Sequence, residues 1–264
     1  MRYVTIRALS LKSCEGMADL YRRATSPWRR LPDFIIIGAQ KAGTSSLYFY
    51  LSQHPGIRMS ALKETHYYNY YILRGKGLSW YRGFFPLKIR TKEKMTGEAS
   101  PYYLFDEDVP ARIKKDLPNV KLIALFRNPI DRAYSAYNMN KRQFKAKNFP
   151  TFEEAIANPD TSFEQSRLYL HRGRYSEHIK PWLSAFRRDQ LLFVKSEELF
   201  RDPRKSLDEV YEFLGVEKIY PENIQAQEVG SYTELSPKTR VELEKYFRKT
   251  NDELVELLGA RYRW

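Results

Sequence analysis

One cysteine, Cys14, occurs in the 264 residues, so no disulfide can form within the chain and a disulfide-stapled fold is excluded. No apolar run approaches the ~20 residues needed to span a bilayer. Arg7 interrupts the opening segment where a secretory leader would carry its apolar stretch, so no leader is expected. Histidine is scarce: four residues, one cysteine and no spaced ligand cluster give the expectation of no metal. Acidic residues are outnumbered, 32 Asp and Glu against 45 Lys and Arg, and the formal charge of +13 favours anionic ligands in general. That balance does not separate a nucleotide from a sulfated glycan or RNA, and a solvated surface explains it equally well. The basic residues are scattered in short clusters such as Arg22-Arg23, Arg29-Arg30 and Lys114-Lys115 rather than gathered into a tail, so no nucleic-acid partner is expected. Repeats and low-complexity tracts are also missing. The expectation is a soluble, cytoplasmic chain with no membrane partner, and the sequence carries no signal for its oligomeric state.

What is present suits one α/β domain: the length is typical of such folds around a single core, and 42% of residues are apolar. Apolar runs at 33–38, 57–60, 120–126 and 191–195 predict strands with helical patterns between them. A central parallel sheet flanked by helices follows. Pro27 and Pro32 mark a boundary, giving a basic leader segment, 1–31, packed on a domain over 32–264. Thr151–Glu154 and Ser206–Glu209 have capping-box form, Ser236-Pro237 also starts a helix, and Gly215 and Gly259 stand where helices stop.

Residues 34–46, Phe-Ile-Ile-Ile-Gly-Ala-Gln-Lys-Ala-Gly-Thr-Ser-Ser, run an apolar strand into a loop bracketed by Gly38 and Gly43 and then a helix start. In such a layout successive amides and a helix N-terminus collect an anion. Alone it reads equally well as a tight turn, and the hydroxyls of Thr44, Ser45 and Ser46 can cap the helix, bind phosphate oxygens or do both. A P-loop kinase or nucleotide triphosphatase would need lysine at position 44 and a strand-borne aspartate for magnesium, and Thr44 argues against it. The lysine present, Lys41, lies inside the loop, where its charge can stabilise a leaving oxygen. Glu64 and His66 lie two apart, so on an extended segment they face one way; a solvated Lys63–Glu64 salt bridge is the plain competitor. Arg127 follows the run Leu122–Phe126, and Ser135 falls eight residues later on a helix, a fork of donors and a hydroxyl suited to a terminal phosphate. Asp131 and Arg132 are expected to form a local ion pair.

Gly38-Ala-Gln-Lys-Ala-Gly-Thr-Ser-Ser-Leu47 resembles the 5′-phosphosulfate loop of sulfotransferases that use 3′-phosphoadenosine 5′-phosphosulfate (PAPS), particularly heparan-sulfate-type and related bacterial members. Lys63-Glu-Thr-His-Tyr-Tyr68, Gly97-Glu-Ala-Ser-Pro-Tyr-Tyr103 and residues 121–137 resemble further motifs of that family in the same order, and the likeness covers roughly 32–264. It implies sulfuryl transfer to a hydroxyl or amine of an acceptor, a carbohydrate or another hydroxylated small molecule, without a metal. Glu64 is then the base and His66 orients it or the acceptor. Gln40, Lys41, Ala42, Gly43, Thr44, Ser45 and Ser46 hold the phosphosulfate, and Arg127 with Ser135 anchors the 3′-phosphate. Gly230, Ser231 and Tyr232 correspond to the late loop over the adenosine. Tyr175, in a segment that also resembles the family, is expected to stack on adenine, line the acceptor cleft or pack in the core. Ala99 stands where several heparan-type enzymes carry a lysine. The other reading is a non-catalytic module on the same fold that binds an anionic glycan or nucleic acid, which Lys41 and Glu64 disfavour.

Overall fold

The computed structural model describes residues 17–90, 94–144, 148–157, 166–224 and 233–264. Its sheet is built from β1 (Phe34–Gly38), β2 (Ile57–Met59), β3 (Met95–Ala99), β4 (Lys121–Phe126) and β5 (Leu191–Lys195), all parallel, in the order β2-β3-β1-β4-β5. Phe34 to Ile37 and Leu122 to Phe126 are buried without alternation, as expected of strands covered on both faces. Helices flank the sheet, among them α1 (Met17–Thr25), α2 (Thr44–Ser52), α3 (Leu78–Arg82), α4 (Val109–Asp116), α5 (Pro129–Phe144), α6 (Phe152–Ala157), α7 (Ser166–His171) and α8 (Tyr175–Ala185). After β5 come α9 (Ser196–Arg201), α10 (Pro203–Leu214) and α11 (Pro237–Leu258).

Four strands lie where apolar runs predict them, whereas β3 is absent from that pattern. Met-Thr-Gly-Glu-Ala carries no alternation and includes residues disfavoured in strands. It is held by its neighbours: Gly97 pairs with Phe34 on one side and Met59 on the other, and Thr96 donates its amide to Asp33 Oδ2 at 2.7 Å. A Cβ on Gly97 would lie 2.1 Å from Phe34 Cζ, so only glycine lets the phenyl ring cross the strand.

The order of strands places the site. From β1 the chain moves to β2 and β3 on one side, then crosses to β4 and β5 on the other. The loops after β1 and β4 therefore diverge at a switch point, where α/β sheets open a crevice beyond their strand ends.

Helix ends mostly follow the sequence signals. Thr151 N donates to Glu154 Oε2 at 2.8 Å while Glu154 N donates to Thr151 Oγ1 at 3.2 Å, a reciprocal box ahead of α6. Ser236 Oγ accepts from Thr239 N at 3.1 Å to open α11, and Gly215, at φ 76°, closes α10. The box expected at Ser206 does not form, because α10 already starts at Pro203, with Asp202 Oδ1 accepting from Lys205 N at 3.1 Å. An aspartate followed by proline pre-set for the first turn is the stronger start. Residues 17–31 lie against the segment after α3: Arg29 Nη1 donates to Phe85 O at 2.7 Å and Arg30 N to Pro86 O at 3.0 Å. A second cluster, including Ile130, Tyr137, Phe152, Tyr169, Leu243 and Phe247, ties α5, α6, α7 and α11 into one buttress.

Gly97→Ala is expected to destabilise the chain by about 1–3 kcal/mol, because the ring of Phe34 must move within a packed sheet. Gly77→Ala, in open space with φ −83°, should stay within about 0.5 kcal/mol of the parent. Urea denaturation of the two variants measures both, and equal midpoints would refute the Gly97 packing argument.

Candidate active site

β1 ends in a loop that turns through Lys41 at φ 71° and Gly43 at φ 91° into α2. Ala39 N donates to Leu125 O at 2.8 Å, fixing the loop's entry to β4, and Ser196 Oγ donates to Ala42 O, fixing its underside to α9. Glycine suits the left-handed conformation at 43, where a Cβ would in addition press on Phe200 Cζ at 3.0 Å. No side chain caps α2, and its first internal bond runs from Leu47 N to Gly43 O at 3.0 Å. The amides of Thr44, Ser45 and Ser46 precede that ladder at the positive end of the helix, the arrangement that receives an anion.

Arg127 leaves the end of β4 and donates from Nη1 to Lys41 O at 3.3 Å, so the two segments expected to hold separate phosphates meet. Asn128 Oδ1 accepts from Ile130 N at 2.9 Å and starts α5. Ser135 is buried on α5, one turn beyond Asp131 and on the same helix face. Arg127, Asp131, Tyr134 and Arg240 line a cleft of about 340 Å³. The expected Asp131–Arg132 pair does not exist. Neighbours in a helix point apart, so Asp131 reaches Arg240 Nη2 at 2.7 Å while Arg132 is fully buried and donates to Tyr169 O. Gly230, Ser231 and Tyr232 lie outside the described residues.

The third part is the strap after β2. Ser60 N donates to Gly97 O and Glu64 N to Ala99 O, both at 2.8 Å, so the strap lies along β3 and delivers Glu64 to the same edge. Glu64 and His66 are not on an extended stretch, since their φ values are 63° and 52°. Their side chains nevertheless meet, with His66 Nε2 3.5 Å from Glu64 Oε2. Lys63 Nζ donates to Glu64 Oε1 and to Ser45 Oγ, each at 2.9 Å, bridging the strap to α2. Burial would raise the Glu64 carboxyl, but hydrogen bonding from His66 and the Lys63 charge prevail and hold it at about 2.

Arg172 escapes a sequence reading. Its Nη1 donates to Gln40 Oε1 at 2.9 Å, Gln40 Nε2 donates to Tyr102 OH at 2.8 Å, and the guanidinium lies 4.5 Å from the Tyr102 ring centre. The one signal was position, immediately ahead of the Gly173–Ser176 segment that contains Tyr175. Tyr175 itself is 1% exposed and packs on Phe126 at 4.7 Å between ring centres, so of its expected roles the core one holds. Burial, with Arg172 and Arg127 nearby, lowers the Arg132 guanidinium to about 10. Arg132 Nε and Nη1 and Arg172 Nε have no protein partner among the described residues. A buried cationic donor on Arg172, tied to the loop through Gln40, fits a polyanionic ligand.

Residues 31–253 match the sulfotransferase domain family. The chain belongs to it. It is 33% identical, in an alignment that covers 87% of its length, to bifunctional heparan sulfate N-deacetylase/N-sulfotransferase 1 of Mus musculus. Against heparan sulfate glucosamine 3-O-sulfotransferase 3A1 of the same organism it is 36% identical over 196 residues, 72% of its length. It spans 30% of the first relative and 47% of the second. A sulfotransferase structure from Alicyclobacillus acidocaldarius superposes with a TM-score of 0.75 at 30% identity, covering 87% of this chain and 96% of that one.

A second carboxylate, Glu98, lies on β3 beside the strap that carries Glu64. Glu98 is 0% exposed on β3 and accepts from Thr65 Oγ1 at 2.6 Å, whereas the Glu64 side chain keeps 20% exposure, so only Glu64 is open to an acceptor. Burial, opposed by the hydrogen bond from Thr65, raises the Glu98 carboxyl to about 7 from an ordinary 4.5. A carboxyl whose pKa rises on folding favours the folded state below its ordinary value and works against it as pH climbs through the raised one. Glu98→Gln, which mimics the protonated form, is therefore expected to lose less stability than the parent between about pH 5 and about pH 8. Urea denaturation at both pH values tests this; parallel losses would mean that Glu98 does not titrate in that window.

Proposed function

We propose that this sulfotransferase moves a sulfuryl group from PAPS to a hydroxyl or amine of a carbohydrate, with Glu64 as base. The observation that carries the reading is the Arg127–Lys41 contact, which joins the amide loop and the β4 arginine at one switch point. When bound, PAPS supplies the sulfuryl group on a nucleotide that departs with its phosphate charge. Gln40 to Ser46 hold the 5′ end through amides and hydroxyls, and Arg127 with Ser135 holds the 3′-phosphate. Lys41 stabilises the charge that builds on the departing phosphate oxygen.

Glu64 accepts the acceptor's proton as the new S–O or S–N bond forms, and His66 holds its carboxylate. A carboxyl at about 2 is a weak base, and the cause is partly the Lys63 ammonium it shares with Ser45. As Lys63 turns toward anionic charge at α2, Glu64 loses that partner and gains basicity. A glycan acceptor is supported by the substrates in the two relatives' names and by aromatic and cationic groups after His66. There Arg74 lies 4.2 Å over the Tyr70 ring centre, and Tyr71 is 4.5 Å from Trp80. Such faces receive sugar rings and their anionic substituents. Ala99 carries no charge at the end of β3, so any cation that meets the acceptor must come from elsewhere, and Arg74 and Lys76 are our candidates for that role.

Glu64→Gln is expected to lower transfer ~10²–10⁴-fold with affinity for the product 3′-phosphoadenosine 5′-phosphate (PAP) nearly intact. Lys41→Ala should cost ~10²–10³-fold in turnover. Arg127→Ala should weaken PAP by roughly tenfold or more. Titration calorimetry with PAP and 5′-AMP, followed by transfer assays on heparan-type oligosaccharides, checks all three. Equal binding of the two nucleotides by the parent chain would overturn the donor assignment.

A further inference from the structure

The geometry points to Arg240 as a second cation for the donor's 3′-phosphate, held in the free chain by Asp131 and transferred to the phosphate on binding. This rests on the donor site proposed above and adds a residue that neither the loop motif nor the β4 motif contains.

Arg240 is fixed in place by the start of α11. Ser236 Oγ accepts from Thr239 N at 3.1 Å, and Arg240 N donates to Ser236 O at 3.0 Å, so the arginine sits in a capped first turn. Behind it Leu235 and Leu243 are buried against α5 and α6. The side chain therefore projects from a rigid base into the cleft that Arg127 enters from the opposite element.

Among its described lining residues the cleft is electrically balanced. Arg127 and Arg240 face Asp131 and Glu234, two charges of each sign. A phosphate dianion entering that balance meets as much repulsion as attraction unless one carboxylate yields its partner. The Asp131–Arg240 pair is the one built to yield. Its contact is a single Nη2 to Oδ1 approach of 2.7 Å, and the two side chains are 39% and 38% exposed, so water screens it and its loss is cheap. Phosphate offers the same guanidinium two oxygens and a larger charge. Exchange of partners turns a neutral cleft into one with two arginines directed at the ligand. It also makes Asp131 a gate against weaker anions, because a singly charged group gains too little to displace it.

The test is calorimetry of PAP and 5′-AMP with the parent chain and with Arg240→Ala, Arg240→Lys, Asp131→Asn and the Asp131→Asn/Arg240→Ala double variant. Arg240→Ala should weaken PAP by roughly tenfold and leave 5′-AMP unchanged, with Arg240→Lys between the two. Asp131→Asn should tighten PAP several-fold, and that gain should shrink in the Arg240→Ala background. Loss of affinity for both nucleotides would mean that Arg240 only supports the fold, and PAP affinity unaltered by Arg240→Ala would overturn the inference while leaving the donor site standing. Should Arg240→Ala not fold, Asp131→Asn decides alone, because an unchanged or weakened PAP affinity contradicts the exchange. A parent chain that does not distinguish PAP from 5′-AMP would overturn both readings.

Discussion

The site depends on the hydrogen bond from Arg127 to the carbonyl of Lys41. β1 and β4 are neighbours in the sheet, yet the chain leaves them toward opposite sides, and beyond the Ala39–Leu125 bond at the loop's entry the Arg127 contact ties their loops together. The arginine spans that divergence. It reaches a backbone carbonyl inside the loop, so one side chain links the two segments at the fold's topological reversal. This is consistent with a reaction in which positioning and fixed charge do most of the work.

Charge is managed differently in the layers below. Arg132 and Glu98 are both fully enclosed, one in the α5 buttress and the other on β3. Neither is the reactive group, and burial pushes each away from its ordinary pKa toward the neutral form. Glu64, one strand-width from Glu98, is held in the opposite state by His66 and Lys63. Two carboxylates on adjacent segments are in this way driven in contrary directions, so that one is a charged, partly exposed group and the other a hydrogen-bond acceptor within the core.

Much of this was readable in the chain. The fully apolar strands β1 and β4 announce themselves, and the glycine spacing around Lys41 marks the loop before any coordinates exist. The order of motifs then points to Glu64, Arg127 and Ser135 as candidates. What escaped was decided at a distance. β3 has a sequence that favours no strand and exists because Phe34 and Asp33 give it partners. Asp131 chooses Arg240, a residue 109 positions away, over its neighbour because helix geometry turns adjacent side chains apart. Arg172 joins the loop through Gln40 across 132 residues, a pairing that no local pattern encodes. Glu64 and His66 do come together, though through two left-handed residues rather than along an extended segment.

The underside of the amide loop is fastened to α9, through Ser196 on Ala42 and the Phe200 ring beneath Gly43. A cradle anchored in this manner is shaped while the chain folds, so the entropy of arranging it belongs to folding and does not count against affinity. Preorganisation of this kind also carries a dependence. The shape of the cradle is hostage to β5 and α9, which hold no expected ligand contact. A substitution at Ser196 or Phe200 can therefore masquerade as a binding defect in a chain whose motif residues are all intact.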